Sequence, residues 1–166
     1  INTTHSTGTT TKAAAAVAKR LKAAGFAAAD IHQLGPTPTK GGLVARLRSM
    51  HPTKKPLLLL AHLDVVEAKR EDWSVDPFKL LEQDGFFYGR GTLDDKAMAA
   101  IFVANLIRMK RDGVKTDRDV ILVLTADEEG GPDNGVDWLL KNHRELVDAD
   151  LLINEGGGGR MRNGKY

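Results

Sequence analysis

The sequence predicts an α/β domain whose sheet is mostly parallel or mixed and is flanked by helices. Three observations point there: apolar runs of strand length, apolar-striped segments of helix length, and the alternation of the two along the chain. Thr10 to Ala24 is Ala-rich, carries Val17 and Leu21 four apart, and is followed by Gly25, the pattern of a helix with a glycine just past its end. Gln33 to Gly42 is polar and punctuated by proline, hence a loop, and Leu43 to Leu47 reads as a strand. Leu57 to Ala61, opened by Pro56, is a continuous apolar run too short for a helix and fits a strand buried on both faces.

Phe78 to Leu81 and Phe86 to Tyr88 flank Gln83-Asp84-Gly85, a hairpin signal. A long helix is expected from Lys96 to about Lys110, with Met98, Ile101, Phe102, Asn105, Leu106 and Met109 near one stripe and Gly113 at its end. Val120 to Ala126 is a second buried strand, Val136 to His143 a helix, and Ala149 to Ile153 a last short strand stopping at Asn154-Glu155. Gly156 to Gly159 and the polar tail to Tyr166 close no obvious element.

Composition narrows the function. The 166 residues carry 24 Lys and Arg against 22 Asp and Glu, a net charge of +2 that is too even for a nucleic-acid-binding module. With 42% hydrophobic and 28% charged residues the chain has material for a packed core. Its longest apolar stretch, Leu57 to Ala61, is far short of the roughly 20 residues that cross a bilayer. The absence of cysteine excludes disulfides, thiolate metal sites and Cys nucleophiles, and leaves the compartment open. The first residue is Ile rather than Met, which suggests processing or a fragment.

Residues capable of metal or proton chemistry collect at the C-terminal ends of three expected strands: His62 and Asp64, then Asp127 to Glu129, then Glu155. In open α/β sheets that edge binds ligands. Each has a plainer reading. A lone His at a strand end is usually a hydrogen-bonding residue, but Asp64, two residues on along an extended segment, can reach the imidazole and fix its tautomer. Asp94 and Asp95 read most simply as a helix cap and a first-turn acid. Glu128-Glu129 could be a solvated turn; in extended chain, however, adjacent side chains point apart, so one carboxylate could bind metal while the other faces a water. Glu155 could be a loop acid. His5, His32, His51 and His143 are scattered among polar residues and read as structural or solvated.

Together, one His and several carboxylates describe a hard, oxygen-rich site for one or two divalent ions such as zinc, cobalt or manganese. There is no Gly-x-x-x-x-Gly-Lys loop, no Gly-x-Gly-x-x-Gly and no Gly-x-Ser-x-Gly elbow. Magnesium-dependent phosphoryl transfer is disfavoured because no phosphate-cradling loop exists and His62 suits magnesium poorly.

Five ordered motifs resemble a known family. They are Leu60-Ala61-His62-Leu63-Asp64-Val65-Val66, Trp73 with Asp76-Pro77-Phe78, Tyr88-Gly89-Arg90-Gly91-Thr92-Leu93-Asp94-Asp95-Lys96, Thr125-Ala126-Asp127-Glu128-Glu129-Gly130-Gly131, and Asn154-Glu155-Gly156-Gly157. The chain is similar in them to the dizinc hydrolases of peptidase family M20, which include aminoacylases, carboxypeptidases, succinyl-diaminopimelate desuccinylases and acetylornithine deacetylases.

The resemblance implies a zinc-exopeptidase-like fold, two divalent ions with zinc the first choice and cobalt or manganese the alternatives, and hydrolysis of an amide or peptide bond in a small peptide or N-acyl-amino acid. By it, His62 is the imidazole ligand of one metal, Asp94 the bridging carboxylate, Glu129 a ligand of the second metal and Glu155 the acid completing the first. Glu128 is the general base, Asp64 the acid behind the His, and the Asp94-Asp95 bond is expected to be cis. Family members are longer, insert a lid or dimerisation domain and return to supply a last His ligand. The expectation is therefore that residues 1–166 form an incomplete, N-terminal portion of a catalytic domain from a protein that is a homodimer at full length. The competing expectation is a catalytically inactive metal-binding or interaction module.

Overall fold

The computed structural model of the chain describes residues 1–156 and Arg162. Five strands form one sheet: β1 (Ile31–Leu34), β2 (Gly42–Leu47), β3 (Leu57–His62), β6 (Val120–Thr125) and β7 (Leu151–Ile153), in the order β1-β2-β6-β3-β7. β4 (Leu81–Gln83) and β5 (Phe86–Tyr88) make a separate hairpin. The helices are α1 (Thr10–Ala23), α2 (Lys96–Arg111), α3 (Gly135–Asn142) and α4 (Arg144–Val147). The sheet is mixed: β3 runs parallel to β6 and β7, whereas β1 and β2, and β2 and β6, pair antiparallel.

The core has two halves, one on each sheet face. Ala14, Ala18 and Leu21 of α1 and Ala99, Val103 and Leu106 of α2 pack with Leu43, Ala45, Leu59, Ala61, Leu122 and Leu124. On the other face Leu139 of α3, with Trp138 and Leu146, covers Val44, Leu58, Ile121 and Val123. Alternation along β6 explains the split, since Leu122 and Leu124 point one way and Ile121 and Val123 the other. Every residue of β6 is buried, as a central strand covered on both sides requires.

Both long helices end as their glycines predict. At α1, Gly25 N–H donates to the Lys22 carbonyl at 3.0 Å and Phe26 N–H to that of Leu21 at 3.1 Å, with Gly25 at φ +86°. The same pair of bonds closes α2 through Gly113 and Val114. In α2 the buried stripe is Ala99, Val103 and Leu106, while Ile101 is exposed. Met98, Phe102 and Met109 of the expected stripe pack partly buried against the same core beside Leu106.

Several boundaries differ from the expectation. β1 falls where Gln33 and Leu34 were expected to begin a loop. Its apolar ends, Ile31 and Leu34, are three apart and serve opposite faces of the sheet, so no period of two marks the strand. Only pairing with β2 reveals it. In the hairpin, the first strand begins at Leu81, so Phe78 to Leu80 lie outside it. β6 stops at Thr125 and β7 begins at Leu151, and α4 had no counterpart in the sequence reading. Gly157 to Gly159 and most of the polar tail lie outside the described residues. Among the described residues no helix is long and apolar enough to cross a membrane.

Candidate metal centre

Parallel register brings the C-terminal ends of β3, β6 and β7 to one edge. His62, the last residue of β3, pairs with Thr125, the last of β6, and Leu59 of β3 with Ile153, the last of β7. The loops leaving these strands carry Asp64, then Asp127 to Glu129, then Glu155, and the segment entering α2 carries Asp94 and Asp95.

His62 is the centre of the arrangement. Its Nδ1 lies 3.0 Å from the Asp64 backbone carbonyl, which can only accept, so Nδ1 carries a hydrogen. Nε2 then faces three carboxylates: Asp94 Oδ1 at 2.8 Å, Glu155 Oε1 at 3.4 Å and Glu128 Oε2 at 3.9 Å. A bare lone pair against so many acceptors is repulsive, and the position calls for a cation. Burial alone would lower the imidazole pKa, but the Asp64 and Asp94 carboxylates and the charge of Glu155 overcome it and raise the value to about 10.

The carboxylates respond in kind. Glu155 and Glu129 are both pushed up, first by burial and then by negative neighbours that include Asp94. Asp64 is buried, yet the His62 imidazole beside it and the Glu129 N–H, which donates to Oδ2 at 3.0 Å, hold its carboxyl below the usual range. Its other oxygen, Oδ1, sits 3.5 Å from His62 Nδ1. The backbone carbonyl of Asp64, rather than its carboxylate, is thus the nearer partner of the imidazole.

Several expectations about these residues are corrected. Asp95, expected in the first turn, occupies the cap position of α2 and makes no side-chain cap bond; it accepts from the His62 N–H at 3.2 Å and is buried. Asp94, expected as the cap, lies one residue before it, and its carboxylate reaches His62. The Asp94-Asp95 peptide bond is cis, as the resemblance implied. Glu128 and Glu129 lie in a turn and not in extended chain, so a strand pleat does not set their directions.

His62, Asp94 and Glu155 offer one nitrogen and two carboxylate oxygens within 4.8 Å of one another. This donor set, without sulfur, fits a divalent ion such as zinc. Glu129 is not in that group. Residues unremarked in the sequence also matter here. Lys40, from the loop before β2, is buried and donates to Asp127 Oδ1 at 2.6 Å, with His5 Nδ1 3.1 Å from the same ammonium. A single Lys in a Thr- and Pro-rich loop gives no signal of this.

A His-carboxylate cluster lies at the C-terminal edge of an α/β domain with helices on both faces of its sheet. The chain belongs to Peptidase family M20/M25/M40, whose profile matches residues 58–164. It is 42% identical over 120 residues to the succinyl-diaminopimelate desuccinylase of Parvibaculum lavamentivorans, covering 70% of this chain and 29% of that protein. The N-fatty-acyl-amino acid synthase/hydrolase of Homo sapiens is 37% identical over 115 residues, 67% of this chain and 22% of that one. Aminoacylase-1 of Sus scrofa is 32% identical over 108 residues, 64% and 26% respectively. The fold matches an M20 family metallo-carboxypeptidase from Sulfolobus solfataricus at TM-score 0.72 and 24% identity, over 89% of this chain and 32% of that one. Human carnosine dipeptidase 1 matches at TM-score 0.68 and 24% identity, over 83% and 31%. The chain thus spans less than a third of the length of each of these relatives.

Proposed function

We propose that the chain supplies the metal-holding part of a hydrolase that cleaves an amide or peptide bond in small peptides or N-acyl-amino acids, and that it is the N-terminal part of that enzyme's catalytic domain. The observation that carries this reading is His62 Nε2 turned toward Asp94, Glu155 and Glu128 with its tautomer set by the Asp64 carbonyl. In this reading His62, Asp94 and Glu155 hold one ion, and Asp94 and Glu129 contribute to a second. Zinc is the first choice, and cobalt or manganese suit the same donors. When bound, such ions supply Lewis acidity toward a carbonyl oxygen and toward water.

The remaining roles fall to the chain's own groups. Glu128, half-exposed and pointing into the cluster, takes a proton from the attacking water at Oε2 and returns it to the leaving nitrogen. Asp64 keeps hydrogen on Nδ1 through its carbonyl, and its carboxylate holds the Glu129 amide, so one residue orients both a ligand and the turn beside it. The names of the desuccinylase and aminoacylase relatives, both acting on amides, support this substrate class.

Glu128→Gln in the full-length enzyme is expected to lower turnover by about 10²–10⁴-fold while zinc per protein stays unchanged. Retained turnover removes Glu128 as the base. His62→Ala should instead lower zinc content after dialysis, and an unaltered stoichiometry would argue against its place in the donor set.

A noncatalytic interaction module is the second reading, favoured by one observation. β7 is exposed along its length, with Leu151 53%, Leu152 58% and Ile153 48% accessible. A clean monomer by light scattering across a concentration series would count against it.

A further inference from the structure

We propose that Lys40, Asp127 and Gly131 form a latch that sets the position of the acidic turn, with Lys40 acting as a positioning residue for Glu128 and Glu129. The inference rests on the roles proposed above for those two glutamates. Asp127 is the first residue after β6 and Ala126, and it adopts φ +55°, a region that residues with a Cβ rarely visit. Its side chain is 1% accessible. Oδ1 accepts from Lys40 Nζ at 2.6 Å, and Oδ2 has no hydrogen-bond partner among the described residues.

The carboxylate is also packed from the far side of the turn. A Cβ added at Gly131 would lie 2.1 Å from Asp127 Oδ2 and 2.4 Å from its Cγ. Only glycine lets the backbone close over an acid held so rigidly. The turn is tied at two further points, by the Glu129 N–H to Asp64 Oδ2 at 3.0 Å and by Asn134 Nδ2 to the Asp127 carbonyl at 3.3 Å. Lys40 anchors its root, where the chain leaves the sheet.

Burying two opposite charges is expensive, and a well-packed apolar pair would serve stability as well or better. What the pair supplies is direction. Asp127 adjoins Glu128, whose Oε2 lies 3.9 Å from His62 Nε2, so a shift at the root of the turn moves the base and the neighbouring ligand together. A displacement of about 1 Å at a reacting group costs roughly 10²-fold in rate. Lys40 itself is 8% accessible and gives its bonds to Asp127 and His5, so it acts through the turn and not on substrate.

The test has two arms. In the metal-free chain, hydrogen exchange is followed for Lys40→Met, Asp127→Asn and Gly131→Ala. The Glu129 amide should exchange about tenfold faster by a local opening that is insensitive to low urea, while amides of β6 and α2 report only the change in global stability. In the full-length enzyme the same variants should lose roughly tenfold to hundredfold in kcat with KM nearly unchanged. Wild-type exchange at Glu129 together with wild-type kcat in a folded Lys40→Met overturns the latch. Should Lys40→Met fail to fold, Asp127→Asn and Gly131→Ala decide, and unchanged values in both overturn it equally. A wild-type enzyme that hydrolyses no acyl-amino acid or dipeptide would sink the functional reading alone, because the exchange arm needs neither metal nor turnover.

Discussion

Two clusters of charge lie at the same edge of the sheet and solve the same electrostatic problem in opposite ways. Asp127 is buried with Lys40, a cation supplied by the chain itself at 2.6 Å. Asp94, Glu128 and Glu155 surround His62 Nε2, and among the described residues none of the three pairs with a lysine or arginine. A cluster that brings its own counter-ion is a fixed part of the fold, whereas one that lacks it is, in the function proposed above, where a cation from outside would bind. The lesson is that a metal centre shows itself less by the number of carboxylates than by their lack of internal compensation.

The largest expected effect breaks the self-neutralised cluster. Asp127→Ala strands a buried ammonium and should cost about 3–5 kcal/mol in urea unfolding, with or without metal. A loss under 1 kcal/mol would mean Lys40 finds water or His5 as a sufficient partner. Next is the recruiting cluster: zinc at a hundredfold excess over its dissociation constant should stabilise the wild type by about 2.7 kcal/mol, reversed by chelation. Glu155→Ala should remove most of that gain, and an equal zinc shift in both proteins would take Glu155 out of the donor set.

Smaller effects sharpen the contrast. Asn134 accepts from the N–H groups of Val136 and Asp137 at the start of α3 while its amide holds the Asp127 carbonyl, so Asn134→Ala should cost about 1 kcal/mol in thermal unfolding. The smallest is a control. Lys141 and Asp137 meet at the same 2.6 Å as Lys40 and Asp127, but with side chains 68% and 62% accessible against 8% and 1%. Lys141→Ala should change stability by no more than about 0.5 kcal/mol. If it matched Asp127→Ala, burial would not be what separates the two pairs.

Much of the site was legible because its residues sit at element ends that hydrophobic patterning marks. The apolar run ending at Ala61 announces His62, and the run ending at Ala126 announces Asp127 to Glu129. What could not be read was where side chains turn once the backbone leaves regular structure. Asp95 read as a first-turn acid and became a support for the His62 backbone, whose N–H at the strand end it accepts from at 3.2 Å. β1 escaped because its two apolar residues feed opposite core halves, a pattern that has no local signature.

By itself the sequence determined the order of the elements other than β1 and α4, the helix stops at Gly25 and Gly113, and the residue types gathered at the strand ends, since propensity, periodicity and turn chemistry act over a few residues. Only the tertiary structure decided that the sheet is mixed, that Lys40 and not a neighbour in sequence neutralises Asp127, and that His62 meets Asp94 and Glu155. Those contacts join residues 87, 32 and 93 positions apart. Electrostatic pairing at such separations depends on which strands lie side by side, and strand adjacency is settled by burial of the whole core and not by any local stretch of chain.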